Sequence, residues 1–68
     1  MSEIIFSVRE SPEGGFEAEA LGASIFTDGE DMEMLLANVK EAVSAHFEEA
    51  EMPKVIRLHF LKEIVIAA

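Results

Sequence analysis

The chain is expected to fold as one α+β domain spanning residues 1–68, with the element order β-β-β-α-β. In that arrangement a small, mainly antiparallel sheet carries one amphipathic helix on one face, because neither element can bury its apolar side alone. Three observations predict it. Two short alternating runs flank a turn rich in Pro and Gly, a glycine–acid junction opens a long helical stripe, and an apolar run follows Pro53.

In the first run Ile4, Phe6 and Val8 fall on one face of a strand, while Ile5, Ser7 and Arg9 fall on the other. Residues Glu10 to Gly15 then collect the turn formers, with Pro12 to preset φ and two glycines free to take positive φ. After the turn, Phe16, Ala18 and Ala20 alternate with Glu17, Glu19 and Leu21, which describes a half-exposed strand. The two runs with their turn make a β-hairpin. Gly22-Ala23 breaks the pattern, and Ser24-Ile25-Phe26-Thr27 suggests a short third strand ended by Asp28, Gly29, Glu30 and Asp31.

Those carboxylates can accept hydrogen bonds from the free N–H groups of a first helical turn and suit the positive end of its dipole. From there Met32, Leu35, Leu36, Val39, Val43 and Phe47 follow the i, i+3, i+4, i+7 spacing of one buried stripe. No Gly or Pro intervenes before Pro53, so the helix is expected to run about five turns, or ~27 Å. Pro53 forbids its continuation.

Beyond Pro53, Val55, Arg57, His59 and Leu61 share one strand face, and Ile56, Leu58 and Phe60 share the other, which is expected to be core. Ile64, Val65 and Ile66 either extend this last strand past a bend or form a short extra strand, and periodicity over so short a run does not choose. The helix covers only one side of the sheet. Ile5, Leu21 and Val55 would sit on the other side, and a second copy of the chain is the simplest cover. A homodimer or higher oligomer is therefore expected, with those three residues in its interface.

A chain of 68 residues has a small core and marginal stability of its own. Its 14 acidic residues against 5 basic ones give a formal charge of −9. That field opposes direct binding to DNA or RNA, where phosphates must be neutralised by Lys and Arg. It would attract a basic protein and raise the encounter rate, and it also keeps a small apolar domain in solution. Cysteine is absent, so neither a disulfide nor a thiolate metal site is available, and nothing indicates an oxidising compartment. The N-terminus lacks a signal-peptide pattern, and no apolar run approaches the ~20 residues a membrane helix needs. A cytoplasmic protein is expected.

No catalytic constellation is visible, and no enzyme activity or cofactor is expected. His46 and His59, the only imidazoles, have no Cys, Ser or Asp at a spacing that suggests a nucleophile–base pair or a zinc site. Met34 points away from the buried stripe and is expected to pack under a neighbouring loop, an adaptable contact patch being the alternative. The candidate partner-binding residues are Glu33, Glu41 and Glu48 on the outer helix side, with Arg57 and His59 on the last strand. The short third strand and the last strand could also accept a partner by strand addition.

The stretch LGASIFTDGEDMEMLLANVKEAV resembles the part of HicB-type antitoxin domains that runs from the second strand, through a Gly–acidic cap, into a helix closing on an Asn-x-x-Glu-Ala pattern. Here that pattern is Asn38-Val39-Lys40-Glu41-Ala42, and the hairpin carries the matching Gly14-Gly15-Phe16. The resemblance covers about residues 3 to 48. It implies a partial ribonuclease-H-like sheet with one helix, and a role in neutralising a small basic toxin ribonuclease, HicA, by protein–protein contact. Two departures stand out: Gly22-Ala23-Ser24 replaces the family's Pro-Gly-Cys-like turn, and a C-terminal DNA-binding segment is not expected. The chain is thus similar to free-standing HicB-like domains of the UPF0150 type, for which autorepression through DNA binding is not expected. The ribonuclease-H-like implication does not extend to nuclease chemistry, because the central strand positions offer Ser7, Arg9, Arg57 and His59 in place of converging carboxylates.

Overall fold

Alternation in the first strand sets the whole architecture, since one side of it makes the floor of the core. The computed structural model describes residues 2–62 and 65–68. Strands β1 (Glu3–Glu10), β2 (Phe16–Ala20), β3 (Phe26–Gly29) and β4 (Val55–Phe60) form a mixed sheet in the order β3-β2-β1-β4. β1 pairs antiparallel with β2 and parallel with β4, and β2 pairs antiparallel with β3. One helix, α1 (Met32–His46), joins β3 at one edge to β4 at the other, with a single 3₁₀ turn at Glu49–Glu51 on the way. The expected α+β class and element order hold.

The core is one cluster. Ile4, Phe6 and Val8 from β1, Ala18 and Ala20 from β2, and Ile25 meet Leu35, Val39 and Val43 of α1. The alanines of β2 keep that strand low, so α1 can lie over β2 and β3. Gly29 makes the approach of the helix possible, and Gly15 that of the hairpin turn to the end of β3. A Cβ on Gly29 would meet Leu35 Cα at 2.6 Å, and one on Gly15 would meet the Gly29 carbonyl oxygen at 2.6 Å. Gly15 also sits at φ +79°, a region L side chains rarely adopt.

Asp31 caps α1: its carboxylate accepts the Met34 N–H at 2.8 Å. The helix, 15 residues long, is shorter than the five turns expected and ends at His46, one residue before the last member of the stripe. Phe47 takes an extended conformation, donates its N–H to the Val43 carbonyl and packs against the core, with its ring edge-on to His46 at 4.9 Å. Tertiary burial of one aromatic ring thus stops a helix that no local breaker interrupts.

Other boundaries move as well. β3 begins two residues later than expected and takes in Asp28 and Gly29, because pairing with β2 sets Glu17 against Asp28 and Phe16 against Gly29. Leu36, expected in the buried stripe, is 43% exposed, and Met34, expected to pack under a loop, is 45% exposed. Phe60, expected in the core beside Ile56 and Leu58, is 53% exposed, since α1 lies over the other end of the sheet. Ile64 lies outside the described residues; Val65 and Ile66 form no strand and are exposed.

Candidate functional site

The helix layer and the open sheet face are chemically different surfaces. On the helix layer Glu33 lies in the first turn of α1, Glu41 in its third, and Glu48 just past its end, all exposed. Glu30, Asp31, Glu49 and Glu51 are exposed around the two ends of the same layer. The ion pairs among the described residues, Arg9–Glu17 and Arg57–Glu3, are both on strands. The helix carboxylates have no counter-charge within salt-bridge distance among the described residues.

Arg57 and His59 stand elsewhere. They alternate with Ile56 and Leu58, which touch the core, so both project from the face that α1 leaves uncovered. Arg57 lies beside Ile5, and its Nε donates to Glu3 Oε2 at 2.7 Å. That carboxylate holds the Arg57 guanidinium even more firmly protonated than usual, first through the hydrogen bond and then through its charge. His59 lies beside Ser7. The five candidate partner-binding residues therefore form two separate sets on opposite sides of the molecule.

The candidate interface residues do share one face. Ile5 is half-buried, Leu21 is 56% and Val55 44% exposed, and the Leu21 N–H donates to the Ile5 carbonyl at 2.9 Å. Phe26, 57% exposed, extends the apolar surface toward β3, a contribution its place two residues before Asp28 concealed in sequence. The face is not uniformly apolar: Arg9 and Glu17 bridge at 3.0 Å, and Glu19 stands opposite Phe26.

A third feature carried no sequence signal beyond helix period. Between α1 and β4 runs an open groove of about 410 Å³, lined by Leu36, Val39, Ile56 and Leu58, with Lys40 and Lys54 on its rim. It is where the short reach of α1 leaves β4 without a roof. Among the described residues no polar or charged side chain is buried, and no group of three or more His, Asp or Glu side chains is placed to hold a metal ion. No helix of the described residues is long and apolar enough to cross a membrane.

Over 65 residues, 96% of its length, the chain is 42% identical to a UPF0150 protein of Thermotoga maritima, covering 91% of that relative. Over 51 residues it is 51% identical to a UPF0150 protein of Archaeoglobus fulgidus, covering 75% of the chain and 76% of the relative. No protein-family model matches the chain, and no solved structure matches it significantly.

Proposed function

The chain belongs to the UPF0150 family, and from that premise we propose that it is a non-catalytic, HicB-like protein-binding module whose acidic helix layer receives a small basic protein. A toxin ribonuclease neutralised by that contact is the partner the HicB resemblance favours. One observation carries the reading: Glu33, Glu41 and Glu48 lie exposed on a single layer, away from the two ion pairs on the strands, in a chain of net charge −9. Such a field steers a basic partner and repels nucleic acid. The non-catalytic part rests on the residue types, since Ser7, Arg9, Arg57 and His59 occupy the strand positions where a nuclease would need converging carboxylates.

The test is co-purification at low salt with the product of a neighbouring reading frame that encodes a basic, single-domain protein. Binding should weaken steeply with added salt and be lost in the double variant Glu33→Lys/Glu41→Lys. Retention of full binding by that variant would overturn the assignment of the surface, and failure to bind at low salt would overturn the function.

A second reading is favoured by the open sheet face, where Leu21, Phe26 and Val55 are exposed. In it the chain is a self-associating structural or accessory subunit. Sedimentation showing a monomer at micromolar concentration would sink that alternative.

A further inference from the structure

We propose that two copies of the chain join through the free edge of β4, in an antiparallel register centred on Leu58, so that the two sheets become one. This rests on the self-association reading above and is independent of any basic partner. Among the described residues β4 pairs with one strand only, β1. The Val55 N–H donates to the Ser2 carbonyl at 3.1 Å and the Leu61 N–H to the Val8 carbonyl at 2.7 Å, so the odd-numbered residues of the strand turn their backbone groups toward β1. By alternation the N–H and C=O groups of Ile56, Leu58 and Phe60 point outward along the edge, free to pair with another strand.

A two-fold axis normal to the sheet presents the same edge in the opposite direction and keeps helix face with helix face. Centred on Leu58, it sets Leu58 against the partner's Leu58 and Ile56 against the partner's Phe60. On the open face it sets Val55 against the partner's Leu61, and Arg57 against the partner's His59. Every apolar side chain meets an apolar one. A register centred on Arg57 would place two guanidinium groups directly opposite each other, an arrangement that destabilises a strand pair. The strand is thus self-complementary in one register.

Apolar surface points to the same edge. Of the nine large hydrophobic side chains exposed among the described residues, four gather on this side, Leu36, Val55, Phe60 and Leu61. A stable contact needs roughly 800 Å² from each partner, and a strand edge about 20 Å long supplies only part of it. The groove between α1 and β4 supplies more. In the antiparallel register the partner's Phe60 comes opposite Ile56, at the apolar lining of the groove.

The chain has no cysteine, so introduced thiols report one contact at a time. Residues directly opposite in such a pair have Cα atoms about 4.5–5.5 Å apart, within the span a disulfide bridges. Leu58→Cys is expected to give a covalent dimer under mild oxidation. Because that change also thins the core, a mixture of Arg57→Cys and His59→Cys, both on the solvated face, is the companion test: the mixed dimer should exceed either homodimer several-fold. Phe60→Pro, which removes only an outward N–H, is expected to convert the dimer to a monomer in sedimentation. A monomeric parent chain at tens of micromolar would overturn this proposal and the self-association reading together. A dimer that cross-links through Leu21→Cys but through neither β4 test would overturn the β4 interface alone.

Discussion

The side-chain amide of Asn38 donates to the backbone carbonyl of Asp28 at 2.8 Å, fastening the middle of α1 to strand β3. This bond gives the Asn of the Asn-x-x-Glu-Ala pattern a structural role, because it satisfies a carbonyl at the sheet edge and sets the height of the helix over β3. Asn38→Ala should cost about 1 kcal/mol, the net worth of such a bond. In a domain of this size that corresponds to a drop in Tm of roughly 4–8 °C. An unchanged Tm with an unchanged circular dichroism spectrum would show that the bond does not hold the helix.

Substitutions at glycine should separate crowding from backbone strain. Gly22 has φ +85° but open space around its Cβ position, so Gly22→Ala should cost only about 1 kcal/mol. Gly29→Ala forces a methyl into the backbone of Leu35 and must lift the helix from β3. Its urea midpoint should fall by at least twice as much. Equal midpoints would contradict the close approach.

The capping carboxylate offers a cleaner comparison. Asp31→Ala should destabilise by about 0.5–2 kcal/mol, whereas Asp31→Asn should recover most of it, since an amide oxygen can still accept the Met34 N–H. If both variants lose the same amount, charge at the helix end matters and the hydrogen bond does not.

Burial predicts the largest contrast. Leu35 is fully buried against the sheet, so Leu35→Ala should cost about 2–5 kcal/mol and leave much of the population unfolded at room temperature. Met34 beside it is 45% exposed, and Met34→Ala should change stability by less than about 0.5 kcal/mol. Chemical denaturation of the two variants in parallel checks the orientation of the first helical turns.

The parts of the fold that could be read from the chain are those with a local physical cause. Ile4, Phe6 and Val8 alternate because one strand face is buried, and Leu35, Val39 and Val43 recur because one helix face is. The end of α1 was not readable, because Phe47 stops the helix by its contact with the core. The register of β3 was hidden for a similar reason: Asp28 and Gly29 look like terminators, yet pairing with Glu17 and Phe16 draws them into the strand. Gly29 reads as punctuation in sequence but serves as clearance beneath Leu35. Among the candidate site residues, alternation with Ile56 and Leu58 already set Arg57 and His59 on the side away from the helix and its glutamates.

The central place of β1 has a consequence for how the molecule is made. Glu3 and Arg57, bonded in the finished sheet, stand 54 residues apart in the chain, so the first strand of the sheet to leave the ribosome waits for the fourth before its second edge is covered. Until then the hairpin and helix can assemble with one flank of β1 bare. Closure of the sheet is therefore tied to the emergence of β4, and the nascent chain is most open to unwanted strand pairing just before that moment.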